Sequence, residues 1–135
     1  MENTPELVVL TLVCLITALM WLPYIVARAS GVGVLTALGN PNPTATDVAP
    51  WAQRAQKAHA NAVENLTIFA PLVLIAAFLD VNNPATLMAA KIYLIARVVH
   101  YVVYTAGIPV IRTLAFLTGF GATLTFAFTI LSSVF

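Results

Sequence analysis

Four long apolar segments constrain this chain more than any other feature. Each has the roughly 20 residues that a helix needs to cross a bilayer core about 30 Å thick. Only 8% of the residues are charged, whereas roughly 25% is usual in a soluble domain. We therefore expect an all-α membrane protein whose four transmembrane helices form one antiparallel bundle. The apolar segments cover residues 7–26, 58–79, 85–104 and 113–135.

The connections between these segments place the helix ends and favour a single domain over residues 1–135. A Gly- and Pro-rich stretch after Arg28 predicts a long irregular connection, and Pro50 suits the first turn of the second helix. Pro71 lies inside that helix, where it should kink it or free a carbonyl. The later connections are short, as between antiparallel neighbours. The expected helices cover approximately residues 6–27, 51–79, 85–106 and 110–134.

The first helix is expected to be retained rather than cleaved as a signal. Glu2 and Glu6 precede it, where a signal peptide carries basic residues. Cys14 is the single cysteine, which excludes a disulfide framework, and we expect it to be a buried small side chain. No residues have the spacing of a metal site, and a net charge of +1 gives no reason to expect nucleic acid as a partner.

The basic residues predict that both termini lie outside the cytoplasm. Arg28, Arg54 and Lys57 flank the first connection and Arg112 follows the third, so these connections should be cytoplasmic. Lys91 is the only basic residue expected on the opposite side. We expect a multi-pass protein, and the general character of the sequence suggests the inner membrane of a bacterium.

A polar ladder leads into the second apolar segment. Arg54, Lys57, Asn61 and Glu64 follow at offsets of three and four, so a helix places them along one stripe. A carboxylate carried into hydrocarbon costs at least ~2.5 kcal/mol, so it normally has a partner and a function. We call these four residues the 54–64 ladder.

A second polar stripe follows on the third helix, and we call it the 93–104 stripe. Its spacing predicts one continuous face, which should look into the bundle or across a subunit interface. The antiparallel order brings this stripe, the 54–64 ladder and Arg112 together near the cytoplasmic surface. The stripe consists of Tyr93, Arg97, His100 or Tyr101, and Tyr104.

The chemistry of this cluster indicates the ligand that it suits. Arg54, Lys57, Arg97 and Arg112 supply four cations, and Glu64 supplies one carboxylate. Such a set suits a small zwitterionic ligand with more carboxylates than amines, because cations hold carboxylates and a carboxylate holds an ammonium. Arg112 also opens a helix, where the helix dipole helps to stabilise an anion such as a thiolate.

At these residues the chain resembles the MAPEG family, the membrane-associated proteins of eicosanoid and glutathione metabolism. The segments RAQKAHANAVEN and ARVVHYVVYTAGIPVIRTLAF are similar to its two signatures, and the resemblance covers essentially the whole chain. It implies a homotrimer that binds glutathione, as co-substrate, between neighbouring subunits near the cytoplasmic leaflet. Lys57 and Asn65 depart from the residues of some members, Arg and Tyr respectively.

The resemblance also implies the roles of individual residues. Arg112 would activate the glutathione thiol, and Thr113 stands where some members have an assisting serine. Arg28 is a further candidate for the glutathione carboxylates. The expected glutathione-binding residues are Arg28, Arg54, Lys57, Asn61, Glu64, Arg97, His100 and Tyr104.

Structural interpretations stand beside these functional ones. Glu64 and Arg97 could form an ion pair that only locks two helices together. His59 lies on the face opposite Asn61 and is expected to be interfacial or interhelical, not a ligand. A packed neutral side chain is an equal alternative for His100, and aromatic packing is favoured for Tyr93 and Tyr101.

The leading functional hypothesis is a glutathione S-transferase that conjugates lipophilic electrophiles for detoxification. The same thiolate could reduce a lipid hydroperoxide, which would be peroxidase activity. The partners would then be glutathione, the electrophile or hydroperoxide, membrane lipids and two further copies of the chain. The alternative is a non-catalytic trimeric scaffold or a glutathione-binding sensor. A transporter or channel ranks last, because it would carry polar residues through the whole membrane thickness.

Overall fold

The computed structural model describes residues 4–40 and 48–135, and all regular secondary structure within them is helical. Four units are long and apolar enough to cross a membrane: Pro5–Val32, Pro50–Phe78, Pro84–Ala106 and Pro109–Val134. This confirms the prediction of an all-helical chain with four membrane-spanning units. The helices are α1 Pro5–Leu19, α2 Leu22–Val32, α3 Val34–Leu38, α4 Pro50–Phe78, α5 Pro84–Ala106 and α6 Pro109–Val134.

A proline starts each of the four spanning units. Its missing N–H has no partner in a first turn anyway, and its ring fixes φ near the helical value. The residue before each proline is held outside the helical region, as its steric contact with the ring requires. The ψ angles of Thr4, Ala49, Asn83 and Ile108 are 120°, 142°, 175° and 108°.

The first spanning unit, Pro5–Val32, is interrupted within the helix expected over approximately residues 6–27. Helix α1 ends at Leu19 and α2 begins at Leu22. The break follows from Pro23, which has no N–H to donate to the carbonyl four residues before it. Beyond α2, Gly33 has φ of 89° and α3 follows, so the connection expected to be irregular is partly helical. Its section 41–47 lies outside the residues described.

Aromatic rings and small side chains fill the core of the bundle. The ring of Phe69 stacks on Tyr93 with centroids 3.6 Å apart and meets Phe126 edge-on at 5.5 Å. All three are buried. The first half of α4 packs instead through small side chains, which allow close helix approach. Those buried small residues are Ala52, Ala55, Ala58 and Ala62.

Two turns define the ends of the bundle. The turn at Asp80 joins α4 to α5, and the turn at Gly107 joins α5 to α6. The start of α1 lies at the Asp80 end, because Glu6 contacts Thr86 of α5. Many large apolar side chains point outward, as a lipid-facing surface requires. Cys14 is also exposed, so its predicted burial was wrong: it lies on the outer face of α1.

Candidate functional site

Arg97 is the centre of the polar groups inside the bundle. Its side chain on α5 is only 3% exposed. Nη2 donates a hydrogen bond of 2.6 Å to Oδ1 of Asn61 on α4 and lies 3.4 Å from Nδ1 of His100. Nε of Arg97 is inaccessible and has no hydrogen-bond partner within the described ranges. The described part of the chain therefore provides only some of the hydrogen-bond acceptors that this buried guanidinium requires.

The contacts of Arg97 continue in both directions. On α4, Nδ2 of Asn65 donates to the backbone carbonyl of Asn61 at 2.8 Å and to its Oδ1 at 3.2 Å. On α5, the ring of His100 packs edge-on against Tyr104, with centroids 5.5 Å apart. Together with Arg112 these residues form one connected set over three helices. We call it the Arg97 network: Asn61, Asn65, Arg97, His100, Tyr104 and Arg112.

Arg112 joins this network from the first turn of α6. Its Cζ lies 4.6 Å from the centroid of the Tyr104 ring, a cation–π contact. The guanidinium therefore rests on a neutral aromatic face near the positive end of a helix. Thr113 beside it is exposed, and its hydroxyl donates to the carbonyl of Pro109 at 3.3 Å.

The 54–64 ladder does not stay together in the single chain. Asn61 is half-buried and joins the Arg97 network, whereas Lys57 and Glu64 are exposed. No ion pair links Glu64 to Arg97 in the described chain, so the alternative of a structural pair between them is not realised within one subunit. A charged group that faces outward within a spanning helix still needs a partner.

Arg54 contacts the turn at Gly107. Its Nε donates a 3.0 Å hydrogen bond to the carbonyl of Thr105, one of the last in α5. A Cβ added at Gly107, whose φ is 81°, would lie 3.4 Å from the Arg54 guanidinium carbon. Arg54 therefore holds the turn that leads into α6 and Arg112. Arg28 is half-buried on α2, and its Nε has no hydrogen-bond partner among the described residues.

Two further contacts tie the broken first span to the bundle. The hydroxyl of Tyr24 on α2 lies 2.7 Å from Nδ1 of His59 on α4. Tyr101 on α5 donates to the carbonyl of Met20 at 2.8 Å. The interhelical role predicted for His59 is confirmed. Tyr24 was missed by sequence reasoning, because a lone tyrosine in an apolar segment carries no positional signal.

Asn65, which sequence spacing places on the same stripe as the 54–64 ladder, was not among the expected binding residues. The signal for it was present, because Asn61 and Asn65 are four residues apart on a helix and so lie on one face. The predicted residues that the structure brings together are Asn61, Arg97, His100, Tyr104 and Arg112. Those that it leaves outside the network are Arg28, Arg54, Lys57, Glu64 and Thr113.

The electrostatics of the network favour an anion. Arg97 and Arg112 both lack an ion-pair partner among the described residues, and the groups nearest to them are neutral amides and aromatic rings. Guanidinium groups in such surroundings bind carboxylates through strong, charge-assisted hydrogen bonds. Within residues 4–40 and 48–135, no group of three or more His, Cys, Asp or Glu could hold a metal ion.

Comparisons with known proteins show the family to which the chain belongs. The chain is 33% identical over 82 residues to microsomal glutathione S-transferase 1 of Mus musculus. The aligned part covers 60% of this chain and 53% of the mouse protein, so the chain spans about half the length of this curated relative. Residues 7–132, nearly the whole chain and both polar stripes, match the MAPEG family. The chain is an integral membrane protein that belongs to the MAPEG family.

Proposed function

We propose that this protein is a glutathione-dependent membrane transferase. The observation that carries the proposal is Arg97, a buried cation that has no carboxylate partner in the described part of its own chain. Burial of an unpaired charge is unfavourable because the charge loses its hydration. A ligand carboxylate would offset this penalty by pairing with the guanidinium. Glutathione has two carboxylates, one ammonium and one thiol, which fits a site with an excess of cations.

A neighbouring subunit would complete the site. Lys57 and Glu64 face outward from their own chain, where they would meet the Arg97 network of an adjacent copy in a homotrimer. Glu64 would hold the glutathione ammonium and Lys57 a carboxylate, each through a charge-assisted hydrogen bond. Arg28 and Arg54 are the proposed cations around the remaining carboxylate.

Arg112 would generate the nucleophile. A guanidinium near a sulfur lowers the pKa of a thiol, because it stabilises the thiolate more than the neutral form. Arg112 lies in the first turn of α6 on the face of Tyr104, and the Thr113 hydroxyl beside it would donate to the same sulfur. The thiolate then attacks the electrophile: a carbon–sulfur bond forms, and the leaving group departs with its electron pair.

The same thiolate would support peroxidase chemistry. Attack on a lipid hydroperoxide breaks the O–O bond and releases the lipid as an alcohol after protonation. The oxidised sulfur then reacts with a second glutathione, which yields glutathione disulfide and water. Either reaction brings a polar co-substrate from the cytoplasm to a lipophilic substrate from the bilayer, and either would serve detoxification in a bacterial inner membrane.

Conjugation of an aromatic electrophile by the purified protein tests this proposal. We expect Arg112→Ala to lower the rate at saturating glutathione by about 100-fold, because one preorganised charge that stabilises the reacting anion is lost. Its pH–rate profile should move to higher pH, towards the free thiol pKa of roughly 8.5. Lys91→Ala is the matched control, since it removes an exposed cation at the other end of the bundle.

Two results would contradict the proposal. An Arg112→Ala protein with full activity would remove Arg112 from the reaction. Glutathione binding in a calorimeter without turnover of any electrophile or hydroperoxide would instead indicate the non-catalytic scaffold or sensor.

A further inference from the structure

A cavity lies at the opposite end of the bundle from the Arg97 network. It has a volume of about 750 Å³ and lies between the start of α1, the end of α4, the turn at Asp80 and the start of α5. Among the described residues, its lining includes Glu6 and Asp80 and no Lys, Arg or His. Nothing in the proposed glutathione chemistry uses this cavity.

Glu6 is the most deeply buried charged group of the cavity, with 3% exposure. Its Oε1 accepts a 2.7 Å hydrogen bond from the hydroxyl of Thr86. That hydroxyl lies equally close, 2.7 Å, to the carbonyl of Asn83. Because a hydroxyl has one proton, it can donate to only one of the two acceptors at a time. Among the described residues, the carboxylate therefore lacks the donors that a buried anion requires.

Asn82 provides a second and independent observation. Both polar atoms of its side chain, Nδ2 and Oδ1, are inaccessible and have no hydrogen-bond partner in the described part of the chain. Buried amides without partners are rare, because each unmade hydrogen bond costs free energy. Asn82 lines the same cavity, so a ligand with N–H groups would satisfy an amide oxygen as well as the carboxylates.

We propose that this cavity binds a primary ammonium group attached to an apolar chain. Glu6 and Asp80 balance the positive charge, and Oδ1 of Asn82 accepts one N–H once its side chain turns towards the cavity. The apolar side chains of Phe78 and Leu87, which also line the cavity, contact the hydrocarbon part. The helix ends place the cavity where membrane and water meet, so an amphiphile can bring its charged group and its chain together. An alkylamine and a lipid with an ethanolamine head group share this chemistry.

Binding of octylamine to the full-length protein tests the proposal. The protein is reconstituted in phosphatidylcholine nanodiscs, and equilibrium dialysis is run against empty nanodiscs without glutathione. We expect saturable binding of octylamine and none of octanol, which has the same chain but no charge. Glu6→Gln should weaken octylamine binding by about tenfold or more, because a charge-assisted hydrogen bond is lost.

Control variants separate a local effect from a general one. Asp80→Asn should also weaken binding, and it should fold normally, because Asp80 is exposed with φ of 56°, a conformation that asparagine adopts readily. Lys91→Met removes an exposed charge of α5 that does not line the cavity, and it should leave octylamine binding unchanged. Competition by phosphatidylethanolamine in the nanodisc would assign the lipid as the source of the ammonium, and a lack of competition would assign a free amine.

Equal binding of octanol, or unchanged affinity in both Glu6→Gln and Asp80→Asn, would overturn the proposal.

Discussion

The polar stripes of α4 and α5 are alike in sequence and different in structure. Both place cations and hydrogen-bonding groups at helical spacing. On α5, Arg97 and His100 are buried among neighbouring helices. On α4, Asn61 is the only residue of the 54–64 ladder that belongs to the Arg97 network, while Lys57 and Glu64 face away from the chain's own helices. Periodicity therefore identifies a polar face, but the helices packed around it decide whether that face is an interior or a boundary.

This difference gives the two stripes different expected roles. A buried cation on α5 already belongs to a site before any ligand arrives. An exposed carboxylate on α4 becomes part of a site only when another molecule covers it. Substitutions in the two stripes should therefore differ in size of effect and in whether a second subunit can rescue them.

The largest effect is expected for Arg97→Met. Glutathione affinity should fall by about 100-fold, because the central cation of the proposed site is lost. The thermal midpoint should stay unchanged or rise, since methionine removes a buried charge that has no carboxylate partner in the described chain. Calorimetry and thermal unfolding in detergent measure the two quantities.

Lys91→Met is the matched control for that prediction, because it removes an exposed cation from the same helix. It should leave both glutathione affinity and the thermal midpoint unchanged. A large drop in thermal midpoint for Arg97→Met, with glutathione affinity preserved, would make Arg97 a structural residue.

A smaller effect is expected for Glu64→Gln. Loss of one exposed, charge-assisted contact should weaken glutathione binding by about tenfold with no change in stability. The sharper experiment coexpresses Glu64→Gln with Arg97→Met. If the site lies between subunits, some interfaces in the mixed oligomer combine an intact Glu64 with an intact Arg97. Activity should then exceed that of either variant alone.

Absence of any such rescue would contradict the intersubunit site. The control is the double variant Glu64→Gln/Arg97→Met expressed alone, because none of its interfaces has an intact Glu64 or an intact Arg97. Native mass spectrometry of the coexpressed sample shows whether mixed trimers have formed.

The smallest effect is expected for Tyr24→Phe. Removal of the hydroxyl that contacts His59 at 2.7 Å should lower the free energy of unfolding by about 1 kcal/mol. Conjugation kinetics should not change, because neither residue belongs to the Arg97 network. Unfolding in sodium dodecyl sulfate measures the first quantity.

Tyr93→Phe is its matched control, since the hydroxyl of Tyr93 is buried without a partner in the described chain. That variant should lose no stability. Equal destabilisation by both substitutions would mean that the Tyr24–His59 contact contributes nothing specific.

Much of this arrangement could be predicted from local pattern, and the exceptions share a physical cause. Apolar length predicted four spanning units. Spacing predicted one polar face on α4, which carries Asn61, and another on α5, which carries Arg97 and Tyr104. The break at residues 20–21 had a local signal in Pro23 that the hydrophobic run obscured. The exposure of Cys14 and Glu64 had no such signal, because it depends on which neighbours a helix packs against. No pattern along one chain contains that information.

The four prolines that open the spanning units also determine where each helix begins along its own axis. The extended residue before each proline prevents the helix from winding further back. Arg97 lies thirteen residues after Pro84, about 20 Å along the axis. Arg112 lies three residues after Pro109, about 5 Å along it. The distance of each guanidinium from the start of its helix is thus fixed by the position of a proline ring.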